Sequence, residues 1–434
     1  MNKEFVHDNI TAVGSNLYFA GVSVKDLATR YGTPLLVLDE NKMRSHINEY
    51  KSAMAKYFGE GSMPLYASKA CSFKEIYRIV DSENVGTDIV SPGELYTAVC
   101  AGFDMSKAFF HGNNKTDKDV AFAMDNNIGY FVCDGIEELD AIQREAEARE
   151  IKQKILLRIA PGIDPHTHKK ISTGGIDSKF GSAIATGLAE EMVIAALARP
   201  NVELMGYHCH IGSQIFEVDP YIDAVEIMTE FIADMKAKHG YSAKVLNLGG
   251  GFGVRYVASD PEISITANIM QIGAKLDEKC DEYGIEKPVI YLEPGRSLVA
   301  DAGITLYEVG SVKEIKGVKN YVSIDGGMTD NPRFALYQSS YTVIAATHVG
   351  EEANFKCTLA GRCCESGDII QEDILLPIVK RGDIIAVLVT GAYNYSMSSN
   401  YNRVARPGVV IVKDGESRIA VRRETYDDLI SNDL

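Results

Sequence analysis

The sequence predicts an α/β protein in which a (β/α)8 TIM barrel is followed by a mainly antiparallel β domain. Three observations support this fold class. The chain has 434 residues, a length at which one core usually gives way to two domains. Between about residues 64 and 300, short apolar runs alternate with segments of helical periodicity. After residue 300, β-rich segments alternate with Gly, Asp and Asn turns, and helical periodicity almost disappears.

The barrel prediction depends on a run of eight candidate strands separated by helices, for which a doubly wound sheet is the competing fold. The strands are Leu65–Lys69, Thr87–Val90, Ala108–Gly112, Tyr130–Asp134, Ile155–Ala160, Leu204–Ile211, Val245–Gly249 and Val289–Glu293. Helical periodicity covers, for example, Phe73–Val80, Glu94–Cys100, Glu137–Ala148 and Ile222–Met235. We therefore expect the barrel to occupy residues 38–300.

The remaining residues predict a β-sandwich or barrel-like domain formed by 1–37 and 301–434. The segment Asn16–Val37 has strand character and is expected to join the C-terminal strands. Those strands are predicted at Ile304–Val312, Tyr321–Asp325, Tyr341–His348, Lys356–Leu359, Ile384–Thr390, Gly408–Val412 and Ser417–Val421.

Composition and charge exclude several classes of protein. The chain is 46% hydrophobic and 24% charged, which is ordinary for a globular protein. Its net charge of −16 would be repelled by phosphate backbones and anionic lipid, so nucleic acid and membrane surfaces are poor partners. No apolar run is long enough to span a bilayer, and the N-terminus lacks the apolar region of a signal peptide. The eight cysteines include no Cys-x-x-Cys, and we expect a cytoplasmic protein without a disulfide framework.

Polar and glycine residues collect where the predicted barrel strands end. The segments are YASK, a stretch near Asp88, FFHGNNK, HCHIGSQ, NLGGGFG and LEPGR. Active sites of TIM barrels lie at this end of the strands, so we expect an enzyme site there. The long polar connection between Ala160 and Gly181 follows the fifth strand and is predicted to be a lid.

Four features of these strand ends suggest a chemistry. Lys69 follows an apolar strand, where desolvation would make its amine nucleophilic. Gly249–Gly251 would expose backbone N–H groups to a phosphate. His208 and His210 point to the same side of a strand, so they could stack on a flat cofactor or, with a third ligand that the sequence does not supply, bind zinc. Glu293 could pair with Arg296 or hold the ring nitrogen of a pyridine protonated.

The motifs YASKA, GTDIVSPGEL, HGNNK, HCHIGSQ, GGGFG, EPGRSLVA, DGGMTDNPR, CESGD and GAYNYSM occur in this order along nearly the whole chain. In this the sequence resembles the diaminopimelate decarboxylases, which belong to the alanine-racemase-like group of pyridoxal-phosphate enzymes. The resemblance implies pyridoxal 5'-phosphate as the cofactor and no metal. It also implies a homodimer with shared active sites, and the conversion of meso-2,6-diaminopimelate, a small amino-acid substrate, to L-lysine and CO2, the last step of lysine biosynthesis.

The resemblance also implies roles for individual residues. Lys69 matches the lysine that carries the cofactor, and Cys364 matches the proton donor contributed across the dimer interface. The implied cofactor contacts are Lys69, Asp88, His210, Ser213, Gly249, Gly250, Gly251, Glu293, Gly295, Arg296 and Tyr393. The implied substrate contacts are Arg296, Arg333, Tyr337, Glu365 and Tyr393. The family often has proline where this chain has Phe334, so we expect the pocket wall beside Arg333 to differ in shape.

Other functions remain as alternatives. A related decarboxylase acting on ornithine, arginine or carboxynorspermidine is the first, but ornithine and arginine lack the distal carboxylate that would explain the DNPR arginine beside CESGD. Alanine racemase does not share the DNPR and CESGD context. A non-catalytic regulator of the same fold would be expected to have lost Lys69, Cys364 or the glycines, and all are present.

Overall fold

A computed structural model of the protein describes residues 5–163 and 179–434. The chain divides into two compact units. The first contains Met1–Ser45, Val254–Pro261 and Arg296–Leu434, and the second contains His46–Gly253 and Glu262–Gly295. The predicted lid between Ala160 and Gly181 lies almost entirely outside the described residues.

The second unit contains a closed barrel of eight parallel strands within the described residues. The strands are Met63–Ala67, Gly86–Ile89, Ala108–Phe110, Tyr130–Cys133, Gln153–Ala160, Val202–His208, Val245–Asn247 and Val289–Leu292. Each strand pairs with the next along the chain, and the eighth closes on the first through Tyr291 opposite Met63. A two-residue strand, Ser182–Ala183, pairs with the carboxyl end of the fifth strand. The predicted barrel is thus confirmed, since all eight predicted strands form.

Helices connect these strands, as the parallel pairing requires. The connecting helices are Lys74–Ser82, Pro92–Ala101, Asp117–Asp125, Ile136–Ala148, Leu188–Leu197, Asp219–His239 and Ile265–Tyr283, with 3-10 turns at Ser68–Ala70 and Met105–Lys107. A further helix, Glu40–Tyr57, precedes the first strand. Local sequence sets their ends. Ser91 precedes the helix Pro92–Ala101, and its side chain accepts a hydrogen bond from the Glu94 N–H. Gly102 ends this helix in the left-handed conformation.

An apolar layer and a polar layer follow one another inside the barrel. Six strands supply a buried cluster of Leu65, Phe109, Val132, Leu156, Val245 and Tyr291. Because side chains alternate along a strand, the residues two positions further on continue the same face. Those residues are Ala67, His111, Asp134, Arg158, Asn247 and Glu293. Five of the six are polar or charged, so the inward face changes from apolar to polar at the carboxyl ends of the strands.

The first unit is mainly β-sheet. Its strands are Ile10–Val13, Asn16–Phe19, Val22–Ser23, Leu35–Asp39, Gly303–Ile315, Lys319–Ile324, Val343–Ala345, Phe355–Ala360, Ile369–Leu376, Ile384–Leu388, Gly408–Lys413 and Glu416–Val421. The first three form a small antiparallel sheet, and the others form a larger one. Leu35–Asp39 pairs antiparallel with Gly303–Ile315 and parallel with Gly408–Lys413, so an N-terminal strand is central in this sheet.

Short helical segments complete this unit: Val24–Tyr31, Arg296–Val299, Arg333–Tyr337 and Tyr426–Ile430, with 3-10 turns at Tyr395–Met397 and Tyr401–Arg403. Most strand pairs are antiparallel, as predicted. Elements that the sequence did not predict include the strand Ile369–Leu376 and the helices Val24–Tyr31 and Arg333–Tyr337. Among the helices of the described residues, none has the length and apolar character needed to cross a membrane.

Candidate active site

Lys69 lies in the 3-10 turn Ser68–Ala70 that follows the first barrel strand. The buried carboxylate of Asp88, on the second strand, accepts the Ser68 N–H at 3.0 Å and so fixes this turn. Burial raises the pKa of Asp88 well above its usual range and the charge of Glu293 raises it further, whereas the positive charge of Lys69 opposes both. Lys69 and Asp88 therefore interact electrostatically at the mouth of the barrel.

Glu293 is the centre of a buried polar cluster just beyond the eighth strand. Its Oε1 accepts a hydrogen bond of 2.7 Å from Asn247 Nδ2 and lies 3.1 Å from His111 Nε2. Its Oε2 lies 3.2 Å from His208 Nε2. All four side chains are buried, with Glu293 6% exposed. Four strand ends thus converge on one carboxylate, which we call the Glu293 cluster (Glu293, His111, His208 and Asn247).

The charges in the Glu293 cluster follow from burial. Burial lowers the pKa of His111 to about 4 and lowers that of His208, whereas the charge of Glu293 raises both pKa values. Burial alone would raise the pKa of Glu293, but His208 and His111 outweigh it and hold that pKa well below its usual range. The carboxylate of Glu293 and the two imidazoles therefore favour each other's charged forms, which opposes the effect of burial.

Two uses of the Glu293 cluster are chemically possible. The ligand atoms of His111, His208 and Glu293 lie within 4.8 Å of one another, and two histidines with a glutamate can bind zinc. The zinc alternative was raised for His208 and His210, but within the described residues His208 groups with His111 and Glu293 rather than with His210. A buried carboxylate can equally accept a hydrogen bond from the protonated nitrogen of a pyridine ring.

His210 lies beyond the sixth strand, beside the glycine loop Gly249–Gly251. Its Nδ1 accepts the Gly250 N–H at 3.3 Å, and Asn247 Oδ1 accepts the Gly249 N–H at 2.9 Å. Burial lowers the pKa of His210 well below its usual value, and the charge of Lys69 lowers it further. His210 is therefore a neutral ring at the barrel mouth, and two of the three glycine N–H groups already have protein partners.

Gly251 and the loop that carries Ser213 form the remaining part of the predicted phosphate site. Gly251 O accepts the Ile215 N–H at 2.9 Å, which joins the two loops. The Gly251 N–H has no hydrogen-bond partner among the described residues. Gly251 has φ +123°, and a Cβ there would lie 2.5 Å from Gly212 O, so only glycine fits. The close approach of backbone to backbone beside Ser213 fits a bound phosphate group.

The glycines of the seventh and eighth strand ends also bring backbone segments together. A Cβ on Gly250 would lie 2.0 Å from Glu293 O, and one on Gly295 would lie 2.8 Å from Ala67 Cβ. The first and eighth strand ends are joined further by the Ala67 N–H, which donates to Pro294 O at 3.1 Å. These contacts hold Glu293 and the turn of Lys69 at adjacent strand ends.

The first unit brings together two of the predicted substrate arginines. Arg296 Nη1 donates to Tyr256 Oη at 2.8 Å, and its guanidinium carbon lies 4.7 Å from the centre of the Tyr393 ring. Arg333, at the start of the helix Arg333–Tyr337, donates to Tyr341 Oη at 3.0 Å. Its guanidinium carbon lies 4.8 Å from the centre of the Tyr256 ring. Tyr337 is the last residue of the same short helix.

The CESGD turn, also in the first unit, has four exposed residues followed by one buried residue. Cys364 and Glu365 are exposed, whereas Asp368 is 2% exposed. The carboxylate of Asp368 accepts the Met328 N–H at 2.6 Å and the Cys363 N–H at 2.7 Å, so it fastens the CESGD turn to the DGGMTDNPR loop. The Cys364 N–H donates to Asn402 Oδ1 at 2.8 Å.

The structure adds residues that sequence reasoning did not assign. His111 and Asn247 lie in the HGNNK and NLGGGFG motifs, and their positions at strand ends were the only indication of a role. Tyr256 and Tyr341 had no such indication, because their importance comes from contacts with Arg296 and Arg333 that no local sequence pattern encodes.

Comparisons with known proteins agree with these observations. Residues 42–300 match the family model of the pyridoxal-dependent decarboxylases, pyridoxal binding domain. The diaminopimelate decarboxylase of Bacillus subtilis (strain 168) is 44% identical over 419 residues, which cover 96% of this chain and 95% of that one. A crystal structure of diaminopimelate decarboxylase from M. jannaschii has a TM-score of 0.91 at 34% identity and covers 98% of both chains. A second structure of that enzyme, in complex with L-lysine, has a TM-score of 0.90 at the same identity and coverage.

Replacing Gly250 by alanine should separate the seventh and eighth strand ends. The added Cβ would overlap the backbone of Glu293, so we expect a loss of about 1–3 kcal/mol of unfolding free energy and weaker pyridoxal phosphate binding. Urea denaturation and cofactor titration measure the two effects. Gly93→Ala is the control, since its Cβ would meet nothing closer than Ser91 Oγ at 3.7 Å. Wild-type stability and cofactor affinity in Gly250→Ala would contradict the account of this contact.

Proposed function

The chain belongs to the diaminopimelate decarboxylase family of pyridoxal-dependent decarboxylases, and on this basis we propose that it converts meso-2,6-diaminopimelate to L-lysine and CO2 with pyridoxal 5'-phosphate bound at Lys69. The observation that carries the proposal is the buried carboxyl group of Glu293, which contacts Asn247 and His208 at the strand end next to that of Lys69. That pair supplies the two groups that this cofactor requires of a protein, an amine to attach it and an anion for its ring nitrogen.

The cofactor contacts divide by chemistry. When bound, pyridoxal phosphate supplies an electron sink for the electron pair left by the departing α-carboxylate. The cofactor would be attached through Lys69 Nζ, on a turn that the Asp88 carboxylate holds in place. Glu293 would hold the ring nitrogen of the cofactor, and the imidazole of His210, buried beside the glycine loop, would pack against its ring. The phosphate contacts are Ser213, the glycines Gly249, Gly250, Gly251 and Gly295, and Tyr393, with the Gly251 N–H as the donor that the structure supports best.

The substrate contacts come from the first unit. Arg333, Arg296 and Tyr337 bind the carboxylate at the end of diaminopimelate that does not react, because guanidinium groups form paired hydrogen bonds with carboxylates. Glu365 accepts a hydrogen bond from the amino group at that end. The Glu365 side chain is exposed, so its carboxylate is accessible. Cys364 donates the proton that replaces the lost carboxylate, and its thiol is likewise exposed.

A homodimer with shared sites completes the proposal. Cys364 and Glu365 are exposed residues of a turn whose other carboxylate, Asp368, is buried and hydrogen-bonded. Exposed functional groups on a rigid turn are suited to reach a site in another subunit. We place the reaction in the cytoplasm, where reducing conditions preserve thiols, because all eight cysteines are free.

A decarboxylase of ornithine, arginine or carboxynorspermidine remains the main alternative. It is disfavoured for ornithine and arginine, which have no distal carboxylate to engage the two buried arginines, Arg296 and Arg333. A non-catalytic regulator of the same fold is disfavoured because Lys69 and the Glu293 cluster are both in place.

A substrate panel tests the proposed reaction. The purified protein with pyridoxal phosphate should release CO2 and L-lysine from meso-diaminopimelate, and ornithine, arginine and lysine should react at less than about 1% of that rate. Lys69→Ala should lose both the visible absorbance of the bound cofactor and the turnover, because the amine that attaches the cofactor is gone. Lys74→Ala, an exposed lysine five positions away, is the control. A colourless wild-type protein, or no CO2 from diaminopimelate, would reject the proposal.

Variants of Cys364 test the shared site. Cys364→Ala should bind cofactor normally but lose turnover by about 100-fold or more, the usual range for a lost general acid. Cys363→Ala, the neighbouring thiol, is the matched control. Mixing Lys69→Ala and Cys364→Ala chains should restore about a quarter of wild-type activity, because half of the dimers are mixed and each mixed dimer has one intact site. Absence of recovery after proven subunit exchange would show that each chain uses its own Cys364.

A further inference from the structure

Tyr256 lies between two arginines that the proposed function assigns to the substrate. Its hydroxyl accepts a hydrogen bond from Arg296 Nη1 at 2.8 Å. The guanidinium carbon of Arg333 lies 4.8 Å from the centre of its ring, a distance typical of a cation–π contact. One phenol therefore contacts both guanidinium groups, through two different parts of the side chain.

Tyr256 is itself held in place by contacts of its backbone and its ring. Its N–H donates to Asp260 Oδ2 at 2.8 Å, and its carbonyl accepts from Thr342 Oγ1 at 2.9 Å. The ring meets the ring of Tyr341 edge to face, with centroids 5.6 Å apart. Tyr256 is 5% exposed, so neither its backbone nor its ring can turn without breaking these contacts.

Electrostatics explain why a phenol is needed there. Arg296 and Arg333 are 8% and 7% exposed, and two cations removed from water repel each other. Burial alone would raise the pKa of Tyr256, but Arg296 and Arg333 outweigh it and lower that pKa. The phenol oxygen and the ring face thus offset part of the repulsion between the two arginines.

We propose that Tyr256 is a positioning residue for substrate recognition, which holds the guanidinium groups of Arg296 and Arg333 together so that both bind one carboxylate. The proposal rests on the substrate roles given to these arginines under the proposed function. It extends those roles by naming the residue that sets their geometry. Ligands that carry this carboxylate should depend on Tyr256, and ligands without it should not.

L-Lysine and cadaverine (1,5-diaminopentane) test this dependence, because they differ by one carboxylate. Their dissociation constants are measured by calorimetry on the holoenzyme, and KM and kcat are measured with diaminopimelate. Tyr256→Phe keeps the ring under Arg333 and removes the oxygen that Arg296 contacts. It should weaken the binding of L-lysine roughly tenfold, as expected for a lost hydrogen bond to a charged group, and leave the binding of cadaverine unchanged. KM for diaminopimelate should rise by a similar factor, with a smaller change in kcat.

Two further variants complete the experiment. Tyr256→Met, which removes the ring as well, should weaken L-lysine at least as much, and it serves if Tyr256→Phe does not fold. Tyr31→Phe is the control, since it also loses a tyrosine hydroxyl bond, to Ser417. Equal weakening of L-lysine and cadaverine, or no weakening of either, would overturn the role of Tyr256. In both cases, turnover of diaminopimelate by the wild-type protein would leave the proposed function intact. Absence of that turnover would reject the function itself.

Discussion

The burial of the Glu293 carboxylate is the constraint on which the barrel mouth depends. An ionised carboxylate away from water is stable only when donors surround it. Asn247 and His208 come from the ends of the seventh and sixth strands, and His111 follows the third strand. The ends of four strands must therefore stay in register for one charge to be satisfied.

The same constraint explains the change of layers along the barrel strands. Phe109, Val245 and Tyr291 belong to the apolar cluster, and His111, Asn247 and Glu293 lie two residues after them. Strand alternation thus places a polar ring directly above a packed apolar layer. The apolar layer stabilises the fold, and the polar ring holds a charge where a cofactor can use it. Glycine at position 250 lets the neighbouring strand end approach Glu293 closely enough for this arrangement.

The sequence predicted the barrel well because each strand is a short apolar run bounded by polar and glycine residues. The eight observed strands begin or end within a few residues of the predicted ones. The segment Val24–Tyr31 was missed as a helix because its neighbours have strand character, while its helical start depends on a local cap by Ser23. Ile369–Leu376 was missed because polar residues interrupt its apolar pattern. Lys69, Asp88 and Glu293 could be predicted from their places at strand ends, whereas Tyr256 acts through contacts that no local pattern encodes.

If the barrel mouth depends on Glu293 as an anion, the turnover of a Glu293→Gln variant should reveal it. Glutamine keeps the size of the side chain and can still hydrogen-bond Asn247, but it carries no charge to hold the proton of the ring nitrogen. We expect the Glu293→Gln holoenzyme to keep its full cofactor content, measured by visible absorbance, and its kcat to fall by about 100-fold or more. A Glu293→Gln holoenzyme whose kcat stays within about twofold of wild type would contradict it.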